Sequence, residues 1–165
     1  MPFGIRRKWG RLPGHGRAAE LQFTVGTIPR DPEFSPPMPP TIAQAAALAL
    51  RDGRICMVTS RSGRRWVLPK GQIEAHQSPR DAALAEAWEE AGILGRVEPE
   101  PIGAFAYEKN GILHEVAVFL MTVTTERSAW PEVNQRIREW VPIAEAIERI
   151  EEPELRVIVE KIAVR

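Results

Sequence analysis

Residues 71–93 read GQIEAHQSPRDAALAEAWEEAGI, a glycine-led loop running into one helix. Ser78 stands where a helix N-cap belongs, Pro79 suits the first turn, and Asp81 completes a pattern like a capping box. Ala, Leu and Glu fill the interior and Gly92 ends it. The spacing predicts a helix over 79–91. On it, Glu86, Glu89 and Glu90 fall at i, i+3 and i+4, which puts three carboxylates on one face. Like charges so spaced repel by roughly 0.2–0.5 kcal/mol per pair in water. Leu84, Trp88 and Ala91 turn part of the helix inward, where repulsion costs more. A solvated acidic face is the ordinary outcome of such a run. The alternative is a divalent cation that supplies the missing charge. Mg²⁺ takes carboxylate and water oxygens and bridges to substrate phosphates.

Working outward, WVLPKG at 66–71 gives a short strand over Trp66–Leu68, a turn and a glycine. Gly71 allows a close backbone turn, so its carbonyl can join a metal site. Lys70 stands beside any phosphate bound there. Upstream, RSGRR at 61–65 is a polar loop. Periodicity leaves AQAAALAL at 43–50 open between helix and strand. The Asp52-Gly53 pair favours strand, because it separates AAALAL from ICMVTS as a hairpin turn does. Downstream, strands are expected near 102–107 and 113–124, joined at Asn110-Gly111, with a short one at Trp140–Val141. Helices are expected over 143–150 and 153–163, separated by Pro153. Strands before, between and after helices describe a mixed sheet with helices on its faces.

Residues 1–40 differ. Arg6, Arg7, Lys8, Arg11 and Arg17 lie in an acid-free run over 1–19, and proline fills half of positions 29–40. That is an extension lying on the surface or partly disordered, with LQFTV at 21–25 as a candidate short strand. The compact domain is expected over 41–165. The chain of 165 residues suits one domain with a real core. Its 22 basic and 22 acidic residues cancel, which argues against nucleic acid or a membrane surface as partner. No apolar run approaches the ~18 residues that span a bilayer. No signal peptide is visible, so a cytoplasmic location is the default. The one cysteine, Cys56, lies in the apolar run ICMV and reads as a small buried hydrophobe. Monomer and homodimer are equally compatible with the sequence.

The stretch 71–93 resembles the Nudix box: G, five residues, E, seven residues, R-E, an aliphatic, any residue, E-E, any residue, G, an aliphatic. Gly71, Glu86, Glu89, Glu90, Gly92 and Ile93 match it, Gln77 replaces the first glutamate, and Ala85 replaces the arginine. Ala87 is a small residue at the first aliphatic position. The chain from about residue 42 onward is similar too. SRSGRRWVLPKG and WPEVNQRIREWVPIAEAI resemble the diphosphoinositol polyphosphate phosphohydrolase and dinucleoside polyphosphate hydrolase branch. The resemblance implies an α+β fold, an α/β/α sandwich with its mixed sheet between helices.

It also implies a Mg²⁺- or Mn²⁺-dependent hydrolase of phosphoanhydride bonds in a small phosphorylated substrate. Glu86 and Glu90, with the Gly71 carbonyl, would serve the metal, and Glu89 the metal or the proton. Glu132 is the candidate for a further acidic ligand or base. Arg61, Arg64, Arg65, Lys70, Arg136 and Arg138 are the expected substrate-binding cations. His76 and His114 read as loop and strand polar residues, and Trp130 and Trp140 as packing. The family's first glutamate and arginine are implied to pair and brace the loop against the helix. Here both charges are gone together, the route that removes a buried ion pair at least cost. The competing reading is a Nudix-fold domain that binds a nucleotide or phosphate without hydrolysing it.

Overall fold

The computed structural model describes residues 38–164. The candidate strand at 21–25 and the basic run at 1–19 lie outside the described residues. The elements run β1 (Thr41–Arg51), β2 (Arg54–Thr59), β3 (Trp66–Val67), β4 (Lys70–Gln72), α1 (Pro79–Ala91), β5 (Ile93–Val97), β6 (Gly103–Lys109), β7 (Ile112–Glu126), β8 (Arg138–Pro142), α2 (Ile143–Arg149) and α3 (Pro153–Ala163).

One eight-stranded mixed sheet is built on β1 and β7. They pair in parallel over ten positions, from Thr41 opposite Leu113 to Leu50 opposite Thr122. All the other pairings are antiparallel. β2 and β4 pair with β1, and β3 and β8 with β2. β6 and β5 share the far edge of β7. Two hairpins turn at Asp52-Gly53 and Asn110-Gly111, where all four residues have φ between 50° and 74°. Asp, Asn and Gly tolerate that region and other residues resist it.

Alternation along β1 splits the core in two. Ala45, Ala47 and Ala49 face α1, whose buried side is Ala82, Ala83, Ala87 and Ala91. Ala46 and Leu48 face a larger cluster with Leu155, Ile158, Val159 and Ile162 of α3. The sheet is thus sandwiched between α1 and the α2–α3 pair. Where α1 meets β1 the contact is alanine against alanine, which brings those two backbones close, with Val58, Phe119 and Met121 filling the same cluster. That proximity places the carboxylate-bearing side of α1 beside the end of β4.

Local signals located α1 and α3 to the residue. Two strands carry no such signal. β4 is only three residues long, and β5 follows Gly92 at once and bulges at Leu94/Gly95. Cys56 is fully buried, and burial pushes its thiol up to about 12. Native protein should therefore resist dithionitrobenzoate, with labelling appearing only as denaturant unfolds the chain. Leu48, also fully buried, should cost about 3 kcal/mol as Leu48→Ala, read as a lower urea midpoint at constant slope.

Candidate active site

The ends of α1 are set by its own sequence. Ser78 Oγ accepts from the Asp81 N–H at 3.1 Å and donates to Asp81 Oδ2 at 2.6 Å. Gly92 ends the helix at φ 63°, with its N–H on Trp88 O at 3.0 Å. With the alanine side against the sheet, the three glutamates take graded environments: Glu89 exposed, Glu86 half-buried and Glu90 buried.

Each buried carboxylate meets a different neighbour. A Cβ built on Gly71 would overlap the Glu86 carboxylate, so only glycine lets β4 pass there. Glu90 Oε2 accepts from the Lys70 N–H at 3.1 Å, and its Oε1 pairs with Arg136 Nη2. Arg136, itself 8% exposed, also donates from Nε to Glu132 Oε2 at 2.6 Å and from Nη1 to Thr59 O at 2.9 Å. Arg61 reaches the other Glu132 oxygen at 3.4 Å. Burial pushes Glu90 up to about 7, while Arg136 and the Lys70 N–H favour its charged form and draw it back. Glu86 is raised by burial first, then by Glu89 and Glu132. Among the described residues Glu86 has no ion-pair partner.

These groups line a cavity of about 760 Å³. Its lining includes Glu86, Glu89, Glu90 and Glu132, with Gly71 against Glu86, and Arg61, Arg65 and Arg136. Lys70, Tyr107, Gln44 and His114 line it as well. Lys70 Nζ donates to Tyr107 Oη at 3.1 Å, and Tyr107 donates to Gln44 Oε1 at 2.8 Å. His114 stacks on Tyr107 with ring centres 4.8 Å apart, and its buried Nδ1 has no partner. Burial, then Lys70 and Lys109, hold His114 below its ordinary pKa. Sequence reasoning missed Tyr107 and Gln44. Gln44 comes beside Lys70 through the β1–β4 pairing and Tyr107 through β6–β7 and β1–β7, and none of these pairings leaves a local trace.

Two of the expected substrate cations are not in the cavity wall. Arg64 is exposed on its loop. Arg138 is spent on Ala91 O at 2.6 Å, Arg127 O at 2.9 Å and Glu126 Oε1 at 2.8 Å, and lies 4.5 Å above the Trp130 ring. Arg65 does line the cavity, but Glu151 and Glu152 hold its guanidinium at 2.9 and 3.1 Å. Trp130 and Trp140 both pack: Trp130 Nε1 donates to Glu90 O, and Trp140 lies under Arg51.

Among the described residues no three acidic, His or Cys side chains are already gathered as a metal-holding group. The cause is visible, since Arg136 occupies Glu90 and Glu132. The donor chemistry nonetheless fits a hard divalent cation. Glu86 is a half-buried carboxylate without an ion pair among the described residues, and it lies against a glycine backbone.

The model of the NUDIX domain matches residues 40–161. The chain belongs to the Nudix family. Nudix hydrolase 4 of Arabidopsis thaliana is 36% identical over 97 residues, covering 58% of this chain and 46% of that protein. Diphosphoinositol polyphosphate phosphohydrolase 3-alpha of Mus musculus is 34% identical over 110 residues, covering 63% and 66%. The chain spans about half the length of the plant relatives it matches. In fold it is similar to a C. elegans Ap4A hydrolase, with a TM-score of 0.64 at 18% identity over 74% of this chain and 96% of that one. A MutT protein from Methanosarcina mazei gives 0.61 at 22% identity, over 75% and 94%.

Within the Nudix box, Gln77 now has a visible task. Its Oε1 accepts from the Glu74 N–H at 3.1 Å and its own N–H donates to Glu74 O at 3.0 Å, closing the loop on itself. The ion pair at the cavity floor is instead Arg136 with Glu90 and Glu132. Arg136→Ala strands both carboxylates and should cost about 3–5 kcal/mol in urea denaturation. Adding Glu90→Gln and Glu132→Gln to it should recover most of that loss. If the triple variant is no more stable than the single one, the pairing is not what Arg136 supplies.

Proposed function

We propose that this Nudix protein is a divalent-metal-dependent pyrophosphohydrolase. It cleaves a phosphoanhydride bond in a nucleoside polyphosphate, a dinucleoside polyphosphate or an inositol pyrophosphate. The observation that carries the reading is the Glu86 carboxylate, half-buried and without an ion pair among the described residues, against Gly71 in a cavity that also holds Lys70 and Arg61.

Glu86, the Gly71 carbonyl and Glu90 would hold Mg²⁺ or Mn²⁺, with Glu89 and Glu132 in reach of the same cavity. When bound, that cation neutralises phosphate oxygens and eases deprotonation of water. Lys70 and Arg61 orient the phosphates. Exposed Glu89 accepts the proton of the attacking water. The new P–O bond forms as the bridging P–O bond breaks, and the leaving phosphate departs with the bridging oxygen. The Glu89 role is an assignment within this proposal, as is that of Glu132 as the alternative base. Arg65 lines the cavity with its charge already matched by Glu151 and Glu152. Arg64 is left to solvent, and Arg138 is withdrawn from the substrate-binding set. The partner is a small phosphorylated molecule. Among the described residues no helix is long and apolar enough to cross a membrane.

The second reading, a binding domain without turnover, draws on one fact: Glu90 already has its charge satisfied by Arg136 and the Lys70 N–H. A hydrolysis panel decides between them. It should cover diadenosine polyphosphates, ADP-ribose, nucleoside triphosphates and inositol pyrophosphates, each with Mg²⁺ and with Mn²⁺. Hydrolysis of at least one substrate is expected, and Glu86→Gln or Glu89→Gln should lower kcat by about a hundredfold or more with an unchanged melting curve. Ligand binding by calorimetry with no phosphate released under any condition would establish the binding domain instead.

A further inference from the structure

Neither position 77 nor position 85 ties α1 to the rest of the molecule by charge. Gln77 is spent inside its own loop, and Ala85 carries no polar group. The constraint lies at the other end of the helix. The last carbonyls of a helix have no donors within it. Here four consecutive carbonyls, from Glu89 to Gly92, are each met by the segment 127–138, which runs from the end of β7 into β8. Glu89 O receives the Glu132 N–H at 3.0 Å, and Gly92 O receives the Arg127 N–H at 2.9 Å. Glu90 O receives Trp130 Nε1 at 3.1 Å, and Ala91 O receives Arg138 Nη1 at 2.6 Å.

The donors are themselves fixed. Arg138 is the first residue of β8, paired opposite Val58 of β2, and its guanidinium also binds Arg127 O and Glu126. It stacks on Trp130, which packs against Gly92 so closely that a Cβ there would lie 2.9 Å from the ring. The same segment supplies Arg136 to the Glu90 carboxylate. Backbone and side chain of the glutamate run are therefore both set by 127–138.

We propose that this segment is the brace of the glutamate helix, with Trp130 and Arg138 as positioning residues that act on the reaction through α1 and not through substrate. The inference rests on the hydrolase reading for its kinetic consequence, and on geometry alone for its structural one.

Trp130→Phe removes the N–H and keeps a ring, and Arg138→Lys keeps the charge and loses the fork. Val159→Ala, on the far face of the sheet, serves as a destabilised control. In Trp130→Phe and Arg138→Lys, kcat should fall about tenfold to a hundredfold with KM within about twofold of the parent. Mn²⁺ affinity of the free protein, read by electron paramagnetic resonance, should weaken. Amides at the C-terminal end of α1 should exchange hydrogen faster, while the control moves the melting temperature only. A raised KM at unchanged kcat for Arg138→Lys would return Arg138 to the substrate. Unchanged kcat, Mn²⁺ affinity and exchange, with lower melting temperature alone, would reduce both residues to general stability and overturn the brace. Should the parent protein hydrolyse nothing, the hydrolase reading fails by itself, and α1 exchange still decides the brace.

Discussion

A single buried charge organises the site. Glu90 is carried into the protein because α1 lies on the sheet by its alanine face, and a carboxylate so placed cannot stand alone. Its answer comes from two directions: the Lys70 N–H at the end of the loop from β3, and the guanidinium of Arg136 from the β7–β8 segment. Arg136 in turn needs more than one partner, and Glu132 and Thr59 O complete its set. Four parts of the chain, remote in sequence, are thereby required to meet at one point. The cavity is what lies between them.

The alanine interface explains why the meeting is tight. Larger side chains at the β1 positions that face it would lift α1 from the sheet, and Glu86 would miss the backbone of β4. Ala45, Ala47 and Ala49 against Ala83, Ala87 and Ala91 let α1 sink until the Glu86 carboxylate rests where a side chain at 71 would be. A glycine at 71 and a row of alanines are thus one requirement expressed twice. On the opposite face of β1, Leu48 shares a cluster with Ile55, Met57 and the apolar side of α3.

What the sequence reveals follows from whether the cause is local. Ser78, Pro79 and Gly92 act within one turn of themselves, so α1 can be read directly, and Asp52-Gly53 and Asn110-Gly111 announce their hairpins by the backbone they demand. The mixed sandwich and the family follow from such signals. The parallel pairing of β1 with β7 has no local cause and cannot be read, although it is the spine of the sheet. Arg138 shows the same limit at the site. As a sequence symbol it is a cation in a basic motif, and that type points to phosphate. Its task is decided by the Ala91 carbonyl at the end of a helix some 47 residues away in sequence, and by Arg127 O and Glu126, which nothing in QRIREW announces. Arg136 is caught between the two: it does line the cavity, yet its charge is committed to the protein's own carboxylates.

That commitment bears on which form of substrate the cavity suits. Its lining carries five acidic side chains, Glu86, Glu89, Glu90, Glu108 and Glu132, and five basic ones, Arg61, Arg65, Lys70, Lys109 and Arg136. His114, held below its ordinary pKa, adds no charge at neutral pH. A wall so balanced gives a bare polyphosphate little net attraction, because Arg65 and Arg136 are already matched to glutamates. A polyphosphate carrying a divalent cation is a different object, with negative oxygens at one end and a positive centre at the other. The lining offers both kinds of group, since Glu86 and Glu89 have no ion pair among the described residues and Lys70 Nζ is held only by Tyr107 Oη at 3.1 Å. Under the proposed hydrolysis, such a lining would therefore suit a metal-complexed polyphosphate better than the free anion.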